Sequence, residues 1–305
     1  MHLNSRDLIK SEICNFCGKS FSKNSSSKII LQQNPLVKMV ECKYCLLVSA
    51  DHYPNEKYLK HLYNGKLEQR ISHLSHSSYL TNVLARYIAK CIEKYFFTEF
   101  DKLAEISILD FGGAEGNLLT VLKKNIKKIF PKLKINLYVS DFEDKVNNES
   151  LKYISFDKLQ YYNFDIIIAN AVLEHICNLS QVFKMFSITS KKSTLFYARV
   201  PFDLPVAKVI KSYNIEWPYH VHDFSPIFFE KLNLHNANFK LLESHTCFVS
   251  STFNDGIFRT LSAMILKIPS LIETKVIKPL FDYEGVFYKF VGGWQIVGII
   301  NRNKK

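Results

Sequence analysis

Hydrophobic and polar positions change period several times along this chain, and each change marks an element. In "TNVLARYIAKCIEKYFF", the apolar positions Val83, Leu84, Tyr87, Ile88, Cys91, Ile92, Tyr95 and Phe96 recur at helical spacing. They predict an amphipathic helix with Thr81 or Asn82 at its start and Cys91 on the core stripe. From about residue 105 strands and helices alternate. "EISILDFGG" reads as a buried strand running into a turn, "NLLTVLKKNIKKIF" as a helix and "KINLYVSDF" as a second strand. "YISF" is a short third strand, "FDIIIANAV" a continuous apolar fourth, "LSQVFKMFSITS" a helix and "STLFYARVP" a fifth strand. A helix in "SPIFFEKLNLHNA", a strand in "FKLLESHTCFVSS" and a last strand in "WQIVGIIN" follow. A continuous apolar strand belongs inside a parallel sheet, and this alternation predicts a doubly wound α/β fold.

The first sixty residues follow another logic. Cys14 and Cys17 form one C-x-x-C pair, Cys42 and Cys45 a second, and 24 residues lie between them. Two such knuckles offer four soft thiolates to one ion, which suits structural zinc with no position left for water. Gly18 gives the first knuckle freedom to turn, and "SKNSSSK" reads as a polar loop tip. So short a segment needs a staple to fold.

Composition adds bounds. Apolar content of 47% and charged content of 22% are ordinary for a globular chain of 305 residues. No apolar run reaches the roughly 20 residues of a membrane span, and the opening "MHLNSRDLIKSE" is too polar for a secretory signal, so the expectation is a cytoplasmic protein. The net charge of +12 would suit nucleic acid, an anionic surface or a phosphorylated substrate. Much of it sits in "KKNIKKIFPKLK", where a solvated helix face is the simpler reading, and no RNA-stacking signature accompanies it.

The chain holds 10 glycines, and three of them, Gly112, Gly113 and Gly116, crowd the turn after the first strand of the alternating region. Strand, glycine turn and helix make a nucleoside or phosphate cradle. The spacing departs from the nicotinamide G-x-G-x-x-G and approaches D-x-G-x-G-x-G, with Ala114 at the middle position. In "LDFGGAEGN", "YVSDF" and "FDIIIANAVLEHI" the chain resembles the class I S-adenosylmethionine-dependent methyltransferases. The resemblance implies a seven-stranded doubly wound sheet. It also implies Asp141 on the ribose hydroxyls, Asp110 near the donor's amine, and turn amides on its carboxylate. Phe142 would line the adenine pocket, Phe156 and Asp157 would meet the adenine edge, and Asn170 would stand where methionyl contacts lie. The Ala114 methyl group fits if the turn is ordinary there.

The pairing of a four-cysteine module with this core is similar to the zinc-containing sugar C-methyltransferases. "NAVLEHI" resembles their N-x-L-A-H-like loop, one residue longer, and "WPYHVHDFS" their Glu-His segment. There His220 matches the histidine that acts as base, Tyr219 stands in place of the glutamate, and Asp223 in place of an aromatic residue. Removing a proton from a hydroxyl or an acidic C–H suits a histidine tuned near neutral pH. His220, His222 and His175 all follow strand ends and are the candidates, with Tyr219 beside them. Glu174 is expected to tie the loop to neighbouring backbone, and Tyr79 to close the site. The expected organisation is a zinc module over residues 1–60, a helical connector or lid over 61–102 and the methyltransferase domain over 103–305. The expected activity is methyl transfer to a nucleotide-linked or polysaccharide-precursor sugar. An RNA methyltransferase and a non-catalytic binding protein are the alternatives.

Overall fold

The computed structural model describes residues 7–21, 28–34, 37–59, 78–100, 103–144, 146–202, 217–235, 238–246 and 292–302. The strands are β1 (Leu8–Lys10), β2 (Lys28–Asn34), β3 (Val37–Glu41), β4 (Val48–Ala50), β5 (His52–Pro54), β6 (Glu105–Phe111), β7 (Lys134–Ser140), β8 (Leu151–Tyr153), β9 (Phe164–Asn170), β10 (Ser190–Phe202), β11 (His222–Asp223), β12 (Phe239–Thr246) and β13 (Gly292–Ile300). The α-helices are α1 (Ser78–Phe100), α2 (Asn117–Ile129), α3 (Leu179–Thr189) and α4 (Pro226–His235).

Seven strands form one sheet in the order β12-β13-β10-β9-β6-β7-β8. The run from β10 to β8 is parallel, and β13 lies antiparallel between β10 and β12. This is the expected doubly wound, class I methyltransferase sheet. β9 sits at its centre, buried at every residue but its last, as its unbroken apolar run requires. The third strand comes earlier than "YISF". Leu151–Tyr153 forms it, and Phe156–Tyr161 turns into a 3₁₀ helix instead. The first helix also starts earlier, at Ser78, so Thr81 and Asn82 lie inside it and do not cap it.

Strand alternation splits the core into two layers. One joins Ile106, Ile108, Ile166, Ile168, Leu195 and Tyr197 of the sheet to α1 and α2. The α1 stripe therefore packs on the sheet rather than standing apart as a connector; residues 60–77, the rest of that segment, lie outside the described residues. The other layer joins the opposite face of the sheet, through residues such as Phe111, Ile167 and Phe196, to α3 and α4, with Cys14, Cys42, Cys45 and Leu47 in the same cluster. The Phe16 ring meets Phe183 and Phe228 edge-on, at 5.4 and 5.1 Å between centroids. The cysteine segment is thus packed into the sheet's own core. It is also sewn to it. Its antiparallel sheet runs β11-β4-β3-β2, and the edge strand β11 comes from beyond β10, with His222 opposite Ser49. No helix among the described residues is long and apolar enough to cross a membrane.

Candidate active site

The glycine turn is built by close contact as much as by torsion. Gly112 lies at φ 75°, and a Cβ there would fall 2.4 Å from Val172 Cγ2. At Gly113 a Cβ would fall 2.6 Å from the Asp110 carboxyl carbon. Gly116 caps α2 from the left-handed region, without a side-chain bond. Ala114 also sits at positive φ, 47°, so the turn is not ordinary there and the alanine carries strain that a glycine would not.

Three turn amides are already engaged within the protein. Gly112 N donates to Ser140 O at 2.7 Å, Gly116 N to Gly113 O at 2.8 Å, and Ala114 N to Asp141 Oδ2 at 2.8 Å. The Asp141 carboxylate, which also accepts from Phe142 N at 2.6 Å, links the ends of β6 and β7 directly. Asp110, only 2% exposed, faces the turn from below. Burial, with the Asp141 charge adding to it, pushes its carboxyl up to about 8. At the end of β9 the buried Asn170 Oδ1 has no hydrogen-bond partner among the described residues, and Ala171 behind it lies at φ 54°. A buried acceptor left open beside a buried acid is the chemistry an ammonium group satisfies. On the far side Phe156 packs at 6.0 Å from the Phe111 ring, whereas Phe142 is 56% exposed. Asp157 is exposed in the 3₁₀ helix, its pKa lowered by the Ser155 side chain.

The loop after β9 meets the segment before β11 through three hydrogen bonds. The His175 Nδ1–H donates to Tyr219 O (2.8 Å), Val221 N to Glu174 O (2.9 Å) and the His222 Nε2–H to Ile176 O (2.8 Å). A carbonyl only accepts, so neutral His175 keeps its proton on Nδ1 and leaves Nε2 bare. That Nε2 lies 3.9 Å from Oε1 of Glu174, which is 2% exposed. The His175 and His220 rings stand 4.9 Å apart. Glu174 does tie the loop, through its carbonyl, while its carboxylate faces the imidazole. Tyr219 likewise orients His175 through its carbonyl.

His222 does not join this pair. It is fully buried, its Nδ1 accepts from Ser49 Oγ at 2.9 Å, its Nε2 is spent on Ile176, and burial lowers its pKa to about 4. With both nitrogens occupied it fastens the fold and is no base. Nothing in the chain's local pattern points to Ser49, which lies 173 residues away. The side chain of Tyr79 lies outside the described residues.

The four cysteine sulfurs all lie within 4.8 Å of one another. Cys14 and Cys45 are 3.5 Å apart, as are Cys17 and Cys42, close to the roughly 3.8 Å edge of a tetrahedral four-thiolate zinc site. Each knuckle closes alike. Gly18 N and Leu46 N donate to Cys14 O and Cys42 O at 2.8 Å, and both residues take positive φ, 72° and 61°. Neighbouring thiols hold the Cys42 thiol low and push those of Cys14 and Cys45 up.

Residues 78–244, more than half of the chain, match a family model described as a methyltransferase domain. Among solved structures, the chain is similar to the plantazolicin methyltransferase BpumL in complex with a desmethylPZN analog and SAH. The match has a TM-score of 0.47 and 14% identity, over 79% of this chain and 93% of that one. Magnesium protoporphyrin IX methyltransferase from Synechocystis PCC 6803 matches at 0.47 and 11%, over 81% and 100%. A putative methyltransferase in complex with the Haloferax volcanii Trm112 activator matches at 0.42 and 12%, over 72% and 96%. No curated protein matches the chain. The glycine turn, the acid that closes β7 and a family match that runs from α1 to β12 agree, and the chain belongs to the methyltransferase-domain family, as a class I S-adenosylmethionine-dependent methyltransferase.

Proposed function

We propose that the acceptor is a small sugar-type molecule, nucleotide-linked or a polysaccharide precursor, and that His220 takes its proton. The observation that carries this reading is the meeting of two distant stretches, "NAVLEHI" and "WPYHVHDFS", each of which resembles the sugar C-methyltransferases. Their histidines, His175 and His220, stand ring against ring beside the buried Glu174. Bound S-adenosylmethionine supplies a methyl group on a positively charged sulfur. Asp141 is suited to the ribose diol, Asp110 and Asn170 to the amine, and Phe156, Asp157 and Phe142 to the adenine side. His220 removes the acceptor's proton, and Glu174 with His175 stabilises the imidazolium that results. Holding acceptor and base in line contributes the larger part of the rate. Zinc on Cys14, Cys17, Cys42 and Cys45 would hold the module without taking part in transfer, and reduced thiolates fit a cytoplasmic setting.

Incubation with labelled S-adenosylmethionine, a panel of nucleotide sugars and, in parallel, total RNA tests the acceptor. Label in a sugar supports the reading, and label in RNA alone overturns it. His220→Gln is expected to lower kcat about 10²–10⁴-fold while S-adenosylhomocysteine binds as before. An unchanged kcat would remove His220 from the chemistry.

A further inference from the structure

Two groups of cysteine, histidine or acidic side chains among the described residues lie close enough to share one ion. The first is the four-cysteine module. The second is Glu174, His175 and His220, whose ligand atoms all lie within 4.8 Å of one another. Glu174 is buried and both imidazoles are partly so. The trio is held from both sides of His220. Its neighbour Tyr219 accepts from His175 Nδ1 at 2.8 Å, and its neighbour Val221 donates to Glu174 O at 2.9 Å. The bond to Tyr219 also fixes the His175 tautomer, which leaves the Nε2 lone pair beside Glu174 Oε1, 3.9 Å away. A ring N–H held on a backbone carbonyl is the outer bond by which proteins aim a histidine at a metal.

Two imidazoles and one carboxylate suit a borderline transition ion such as zinc, whereas magnesium and calcium prefer oxygen throughout. Bonds of about 2.0–2.1 Å set tetrahedral ligand atoms roughly 3.3 Å apart, so small side-chain rotations would close the trio on an ion. Three protein ligands leave the fourth position open, and with fewer anionic donors than four thiolates the site should hold its ion more weakly and empty on dialysis. We propose that Glu174, His175 and His220 form a second, open zinc site, and that zinc there shuts off methyl transfer by taking the His220 lone pair that accepts the acceptor's proton. The blocking rests on His220 being the base; the metal site does not.

Calorimetry with zinc chloride on the full chain, dialysed so that the four thiolates keep their ion, tests the site without any acceptor. Wild type is expected to bind one further equivalent. His175→Gln and Glu174→Gln should each weaken it at least about 100-fold, more than the loss of an outer partner costs, while the module keeps its ion. No further equivalent in wild type overturns the site, as does one that both variants bind equally well. Zinc should also suppress transfer from labelled S-adenosylmethionine in step with that equivalent, and citrate should restore it. Transfer that is untouched by a filled site, or rises with it, overturns the blocking. His220→Gln separates the two roles. If it loses the second ion yet keeps kcat, the zinc site stands and the base falls; if it loses kcat while wild type takes up no second ion, the base stands and the site falls.

Discussion

Asp141 Oδ2 accepts a hydrogen bond from the backbone amide of Ala114 at 2.8 Å. The residue that closes the second parallel strand therefore holds the turn that follows the first. Asp141→Ala would release two backbone amides and remove the ribose acceptor at once. We expect S-adenosylhomocysteine affinity to fall more than about tenfold by calorimetry, with a stability loss of about 1–2 kcal/mol in denaturant titration. Unaltered affinity would show that the ribose lies elsewhere.

Ala114 at φ 47° predicts a gain from the smaller residue. Ala114→Gly should stabilise the fold by about 0.5–1 kcal/mol, after allowing for the freer unfolded chain. The expected rise in Tm is about 1–4 °C. A fall in Tm would mean that the methyl group is packed rather than strained.

Asp110 links pH to both stability and binding. Its folded-state pKa is raised from 3.8 to about 8, so this carboxyl favours the fold fully below pH 4, and that contribution is lost as pH rises through about 8. Asp110→Asn should flatten that part of the stability profile. A donor ammonium favours the ionised form, so S-adenosylhomocysteine binding at pH 7 should release a proton, and at pH 9 should not. Calorimetry in buffers of different ionisation enthalpy reads this directly, and no proton release at pH 7 would separate Asp110 from the amine.

His222 has the opposite sign. Its pKa is lowered from 6.5 to about 4, so its contribution is whole above pH 6.5 and is lost as pH falls toward 4. His222→Gln should remove that slope from a plot of Tm against pH. Ser49→Ala leaves the buried Nδ1 without its donor and should cost about 1–3 kcal/mol. Ordinary acid stability in both variants would refute the fastening role.

The four thiolates should hold about one zinc per chain by elemental analysis. Cys14→Ser should lose the metal and lower Tm by at least ~5 °C. Because β4 carries β11, the loss should also slow methyl transfer more than it weakens donor binding. A metal-free wild type with an unchanged Tm would sink the assignment.

The chain's own pattern made most of the sheet legible, because a strand buried on both faces, such as Phe164–Asn170, leaves little room for polar residues. The knuckles were legible for the same local reason, with both thiolates of each pair in one tight turn. What stayed hidden depends on distant partners. His222 looked like His220 until Ser49 and Ile176 took its two nitrogens. The left-handed Ala114 could not be read from a residue type that usually avoids it. The third strand slipped because three residues, Leu151–Tyr153, carry too little alternation to fix a register.

The pairing of His222 and Asp223 with Ser49 and Val48 also bears on biosynthesis. A nascent chain cannot complete its N-terminal sheet until Asp223 has left the ribosome, long after the cysteines have emerged. Until then one border of β4 is bare backbone, able to recruit a stray strand. Expressing residues 1–60 alone would make that transient hazard permanent.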